Sequence, residues 1–227
     1  MDMWISPDLF EFFRDLKENN NREWFLANKY RYENYVKDPL LKFTAAFADR
    51  LPEISPYYMA IPRINGGSLF RIYRDVRFSK DKTPYKTGAG LHYRHERAPD
   101  VHAPGFYLHL EPGEVYMGCG IWKPDTSTLT KIRTKIAEHP DQWLVAVQDP
   151  TFVENFSLEG DSLKRPPKGF DPDHPLIEDL KRKDYLGSVV LDEKTVCQPD
   201  FLDTFVELCI GAGSFMGFLT QSIGLKW

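Results

Sequence analysis

Apolar residues recur at a helical period through the first fifty residues and then, near Leu51, give way to short alternating segments; this change of period most constrains the fold. Ser6-Pro7-Asp8 supplies an N-cap, a proline at the first helical position and an early acid, after which Leu9, Phe12, Phe13 and Leu16 share one face. Asn19-Asn20-Asn21 interrupts that helix. Asn21 is placed to cap a second, carrying Trp24, Phe25, Tyr32, Tyr35 and Val36, and Asp38-Pro39 to start a third with Leu40, Leu41, Phe47 and Leu51. Beyond prolines 52, 56 and 62, strands are expected at about 68–78, 88–95, 105–111 and 114–121, the last two joined by the hairpin signal Pro112-Gly113.

Helical spacing returns at Leu129, Ile132 and Ile136 and around Trp143 to Val147. Residues 160–175 are too rich in proline, glycine and aspartate for regular structure and read as a loop. A short helix from about Pro175 to Lys183, a strand near 186–191 and two apolar helices, one with Phe201, Leu202, Phe205, Leu208 and Cys209 and one with Phe215, Phe218, Leu219 and Ile223, complete the reading. The expected fold is α+β, a mainly antiparallel sheet covered by N-terminal and C-terminal helices. A single domain over 1–227 is expected, because 227 residues can bury roughly 70% of their unfolded surface and no repeat, low-complexity tract or long linker divides them.

The aromatic share of 14% points to an aromatic-rich core. The opening M-D-M-W-I-S-P-D lacks a basic start, an apolar stretch and a small-residue cleavage site, and no run approaches the ~18 apolar residues that span a bilayer. A cytoplasmic protein without membrane partners is therefore expected. Cys119, Cys197 and Cys209 are odd in number and widely spaced, which fits buried apolar residues better than disulfides, a zinc site or a catalytic thiol.

Charge is unevenly distributed. From Arg71 to Thr87 the chain reads R-I-Y-R-D-V-R-F-S-K-D-K-T-P-Y-K-T, with Arg71, Arg74, Arg77, Lys80, Lys82 and Lys86 opposed only by Asp75 and Asp81, in a chain of net charge -4. Such asymmetry marks an anion site or an internal ion-pair network. On a strand, Phe70, Ile72, Arg74, Val76 and Phe78 would share one face and Leu69, Arg71, Tyr73, Asp75 and Arg77 the other, with Arg71 and Arg77 on the same side and able to flank an anion. Arg74, on the apolar face, needs a carboxylate, a ligand anion or the sheet edge. No phosphate-binding or dinucleotide fingerprint is present, and no cofactor is expected. Tyr73, Phe78 and Tyr85 interleave the cations as in single-strand binders, but with a pI near 5.9 and no broad basic face, nucleic acid is disfavoured as a partner.

Histidines at 92, 95, 102 and 109 lack metal-ligand spacing; His92 and His95 would face opposite sides of a strand, and no metal is expected. Asp171, Asp173 and His174 offer an acid/base pair in principle, though Asp173 is better placed to cap the following helix. Were the 160–175 loop, with Lys164 and Arg165 beside it, to fold over the basic segment, it would form a lid.

The basic run, the following P-G-F-Y-L-H-L-E-P-G, N-N-N-R-E-W-F at Asn19–Phe25 and G-D-S-L-K-R-P-P-K-G-F-D-P-D-H-P at Gly160–Pro175 resemble the signature of a mainly bacterial family of conserved hypothetical proteins catalogued as a domain of unknown function. The resemblance covers nearly the whole chain and implies a single domain, with no activity, substrate or cofactor to carry over. Three function classes follow from the residues. In a binding protein, Arg71, Arg77 and Lys80 or Lys86 hold the phosphate or carboxylate of a small ligand, with Arg74 and Lys82 beside them and Tyr73 and Tyr85 supplying hydrogen bonds or stacking. In an enzyme of phosphate or acyl transfer, the same cations stabilise developing charge while Asp75 or Asp81 acts as base. In a structural or interaction protein, the arginines form an internal ion-pair network. The oligomeric state stays open at this level.

Overall fold

A computed structural model describes residues 4–97 and 103–227. The helical period at the start becomes α1 (Pro7–Glu18), α2 (Arg22–Ala27), α3 (Lys29–Arg31), a π-helical stretch (Tyr32–Lys37) and α4 (Asp38–Arg50), ending in a 3₁₀ turn at Leu51–Glu53. Asn21 caps α2 as expected, its side chain accepting from the Trp24 N–H at 2.9 Å. Ser6 holds the N-cap position of α1, but its hydroxyl donates to Asp8. Asp38-Pro39 does not start a separate helix, since Asp38 itself is helical and continues the preceding turn. Pro39 lacks an N–H and its ring crowds the carbonyl four residues back; the wider π turn just before it makes that room without ending the helix.

The sheet is antiparallel throughout, in the order β1-β2-β3-β4-β6-β5, built from β1 (Tyr58–Met59), β2 (Ala89–His95), β3 (Gly105–Glu111), β4 (Glu114–Ile121), β5 (Ser157–Glu159) and β6 (Tyr185–Leu191). Pro112-Gly113 forms the β3–β4 turn with Glu111 directly opposite Glu114. Helices α5 (Thr126–Glu138), α6 (Pro140–Val147), α7 (Pro150–Asn155), α8 (Ile177–Leu180), α9 (Glu193–Val196), α10 (Phe201–Gly211) and α11 (Gly213–Ser222) complete the chain. Leu91 and Tyr93 of β2, Phe106, Leu108 and Leu110 of β3, and Val115, Met117 and Cys119 of β4 point to the helices, where Phe43 stacks on Phe201, Tyr93 packs on Phe47 and Phe205, and Trp143 packs on Phe215 and Phe218. The alternate residues, among them His92, Tyr107, His109, Tyr116 and Ser188, face away from the helices. Helices therefore cover one face of the sheet, and the other is left to a loop and to solvent.

Among the described residues no single helix is long and apolar enough to cross a membrane; α10 and α11 together reach that length but bend by 54°, and most of their apolar side chains lie in the core. Cys119 and Cys209 are buried, and burial pushes both thiols up; Cys197 is half-buried and raised to about 11.

Several expectations are corrected. Residues 68–78 do not form a strand: the backbone pairs with the sheet through an isolated bridge from Leu69 to Leu91, then folds back on itself through a bridge from Tyr73 to Tyr85. Its in-out alternation survives as far as Arg77, but Phe78, assigned to the apolar face, is 95% exposed. The 160–175 loop is no lid over the basic segment. Its edge is stitched to the chain before β6 by Leu163 N–H to Lys181 O and Lys183 N–H to Asp161 O, beside β5 at the opposite edge of the sheet. The short helix narrows to Ile177–Leu180, and Asp173 does not cap it: its N–H is bonded to Asp171, while His174 Nδ1 accepts from Leu176 N–H. His102 lies outside the described residues.

Two glycines of β4 make a paired test of these contacts. Gly120 has φ of +118°, and a Cβ there would stand 2.0 Å from the Tyr185 carbonyl oxygen, whereas at Gly118 the nearest atoms would be 3.9 Å away. Gly120→Ala should cost about 2–4 kcal/mol in urea denaturation. Gly118→Ala should stay within about 0.5 kcal/mol of the unaltered protein.

Candidate functional site

The basic segment owes its position to the break between the first two helices. The carboxamide of Asn20 donates to the Tyr85 carbonyl at 3.0 Å and accepts from the Tyr85 N–H at 3.1 Å, so one side chain pairs with that residue as a neighbouring strand would. Tyr85, buried, stacks on Phe25 with centroids 4.2 Å apart. Arg74 N–H to Pro84 O and Lys86 N–H to Ile72 O then close an irregular hairpin between residues 72 and 86.

Within that hairpin most charges are satisfied locally. Arg74 donates to Asp81 at 2.5 Å and to the Thr83 hydroxyl, and Asp81 also accepts the Thr83 N–H at 2.9 Å. Arg77 grips Asp75 with two guanidinium nitrogens at 2.7 and 2.9 Å. Both carboxyls are held low, at about 2: Asp75 by the Arg77 side chain and N–H, Asp81 by the Thr83 N–H and by Arg74. Carboxylates so occupied are weak bases at neutral pH. Lys82 donates to the Val76 carbonyl at 2.9 Å. Among the described residues no carboxylate lies within ion-pairing distance of Arg71, Lys80 or Lys86.

Lys86 differs from the other two in being half-buried. Its ammonium lies over the Phe70 ring, 5.2 Å from the centroid, and both burial and the nearby Arg71 guanidinium push its pKa down. It forms one wall of a cleft of about 510 Å³, with Lys17 and Asn20 from the end of α1 and just beyond, Arg74, Asp81, Thr83 and Tyr85 from the hairpin, and Gly90, Tyr107, His109 and Glu111 from β2 and β3. The β3 wall is a hydrogen-bonded chain. The Tyr107 hydroxyl meets His109 Nδ1 at 2.9 Å, His109 Nε2 lies 3.3 Å from Glu111 Oε2, and Thr87 donates to Glu111 Oε1 at 2.6 Å. Burial, then the charges of Tyr116, Glu111 and Glu114, push the Tyr107 phenol well up, so it stays protonated. The His109 ring stacks on Tyr116 at 4.8 Å. Across the hairpin, ligating atoms of His109, Glu111 and Glu114 all fall within 4.8 Å of one another. A second depression, of about 750 Å³, runs along the open sheet face past Tyr107, Tyr116, Gly118 and Trp122.

Of the residues singled out from sequence, Arg74, Asp81, Tyr85 and Lys86 line the first cleft; Arg71, Tyr73, Asp75, Arg77, Lys80 and Lys82 do not. Residues 68–78 form no strand, so Arg71 and Arg77 do not share a strand face. Arg77 is turned back on Asp75, and Tyr73, half-exposed, packs on Tyr85 and Phe25. Lys17, Asn20, Thr83, Thr87, Tyr107 and Glu111 were not anticipated, and His109 is weighed from sequence only as a metal ligand. The period-two spacing of Tyr107, His109 and Glu111 was visible, whereas Lys17 and Asn20 carried no local signal of meeting them.

A helix-backed antiparallel sheet whose uncovered face ends in a mixed-charge cleft, walled by a pinned basic hairpin, makes this an α+β protein with a polar pocket at the start of β2. The chain belongs to DUF2461, a family of conserved hypothetical proteins whose model matches residues 8–218 and so includes every cleft residue named above. No curated protein and no solved structure matches it.

Two outcomes follow from this geometry. Asn20→Ala leaves both backbone groups of Tyr85 unpaired and should cost about 1–3 kcal/mol in chemical denaturation, with amide exchange rising first between residues 72 and 86. Because the folded pKa values of Asp75 and Asp81 lie below their ordinary 3.8, the order they confer is complete above that pH and lost as pH falls through about 2. Amide protection of the hairpin should fade over that window before protection of β3 and β4 does, and Asp81→Asn should show the loss already at about pH 5. A hairpin equally protected across the window would mean that these pairs do not hold it.

Proposed function

We propose that the cleft binds a small ligand bearing a phosphate or carboxylate group, with Lys86 as the principal charge. One observation carries this reading: a half-buried ammonium on the cleft wall has no carboxylate partner among the described residues, and a second cation, Arg71, lowers its pKa further. Desolvating an unpaired ammonium is unfavourable, and an incoming anion removes that cost. Lys17 and the Arg74–Asp81 pair border the same space, while the acids of the cleft disfavour polyanions and long nucleic acid strands. Tyr85 lines the wall, and Arg71, Arg77, Lys80 and Lys82 add field from outside the cleft.

A second reading, transfer of a phosphate or acyl group, is favoured by one feature: the Tyr107–His109–Glu111 chain shares the cleft with Lys86. It supplies the titratable group that Asp75 and Asp81, occupied by arginines, do not.

Thermal melts against sugar phosphates, nucleotides and dicarboxylates at matched ionic strength test both. A ligand at 100-fold over its dissociation constant should raise Tm by about 5–10 °C. Lys86→Met should erase that shift while leaving the ligand-free Tm equal or slightly higher, because the unpaired ammonium is removed. A shift retained in Lys86→Met would overturn the assignment, and product formed by the unaltered protein but not by Tyr107→Phe would select the second reading.

A further inference from the structure

The β3–β4 hairpin sets two carboxylates face to face at its closing pair, Glu111 opposite Glu114, with His109 two residues before Glu111 on the same face. Like charges directly opposed on a sheet destabilise it unless something lies between them. Among the described residues Glu114 has no cationic partner, and Glu111 has only the imidazole and the Thr87 hydroxyl. We infer that His109, Glu111 and Glu114 form a binding site for a first-row divalent metal ion such as Zn²⁺, Mn²⁺ or Co²⁺.

Three features support this beyond proximity. His109 is already oriented, its ring stacked on Tyr116 and its Nδ1 bonded to the Tyr107 hydroxyl, which leaves Nε2 facing the carboxylates. A second-sphere hydrogen bond on the remote imidazole nitrogen is the usual companion of a metal-ligating histidine. Metal binding would select the tautomer protonated on Nδ1, which donates to the Tyr107 hydroxyl and leaves Nε2 and the Glu111 oxygen, 3.3 Å apart, as two acceptors for one cation. Thr87 holds the other oxygen of Glu111, leaving Oε2 directed at the site. Ligating atoms around a bound ion stand roughly 3–3.5 Å apart at bond lengths of about 2.0–2.2 Å. The 4.8 Å limit seen here closes to that by rotation of Glu114, which is exposed. One imidazole and two carboxylates suit borderline transition metals over Ca²⁺ or Mg²⁺, and three protein ligands leave positions for water or ligand oxygen. His109 and Glu111 also line the cleft that holds Lys86, so those positions adjoin the proposed anion site. The metal site rests on the hairpin alone and does not depend on the anion reading.

The test is titration of the chelator-treated full chain with Zn²⁺ by calorimetry and with Co²⁺ by visible absorption, in a buffer free of phosphate and carboxylates. One equivalent should bind with a dissociation constant of about 10 μM or tighter. Glu114→Gln and His109→Gln should each weaken it at least about tenfold with unchanged circular dichroism. His174→Gln, on the distant loop, should leave the metal affinity as it was, whereas Lys86→Met, which removes a like charge from the shared cleft, should not weaken it. Absence of saturable binding below about 1 mM, or binding that survives both Glu114→Gln and His109→Gln, would overturn the site.

Discussion

Asn20 turns both ends of its carboxamide onto the backbone of Tyr85, and the candidate site depends on that reciprocal pair. The basic segment has almost no sheet of its own; it meets β2 through a single bridge and otherwise closes on itself. A loop carrying six cations would disperse in solvent unless something outside it fixed one point. The helix break at Asn19-Asn20-Asn21 is that point, and the stacking of Tyr85 on Phe25 extends the anchor into the core. Lys86, one residue on, is thereby held at the cleft wall beside Phe70 rather than in bulk water.

Electrostatics then divide the cations by role. Arg74 and Arg77 are neutralised by Asp81 and Asp75 a few residues away, which rigidifies the hairpin without drawing on acids elsewhere in the chain. These are exposed pairs, and such pairs contribute little to global stability. Lys86 is the opposite case, a cation partly removed from water with no counter-charge among the described residues, and its lowered pKa records that cost. Across the same cleft, the β3–β4 hairpin presents the reverse imbalance, with His109 and Glu111 of β3 on the wall and Glu114 of β4 just beyond it. Excess positive charge on one wall and excess ligating oxygen on the other give the space its chemical character.

Much of the scaffold was legible because periodicity and turn chemistry are local. The Leu9, Phe12, Phe13 and Leu16 stripe, the Asn21 cap and the Pro112-Gly113 hairpin each follow from neighbours within a few residues, and each stands where expected. The strand expected at 68–78 failed for an equally physical reason. Its alternation is real as far as Arg77, but alternation reports which side chains are buried, not whether a partner strand is present to pair with. Likewise Asp38-Pro39 carries a helix-start signal that a preceding π turn converts into a continuation.

What the sequence determined by itself was the α+β class, the antiparallel hairpin, the helices at both ends and the segment whose charge departs from the rest. Only the tertiary structure decided which of those charges matter. Arg77 and Lys82 are satisfied inside the loop, Lys86 is not, and Lys17, Asn20, His109 and Glu111 reach it from helices and strands far along the chain. The reason is that composition specifies charge per segment, whereas desolvation and ion pairing depend on distances between segments, which only the packed chain sets.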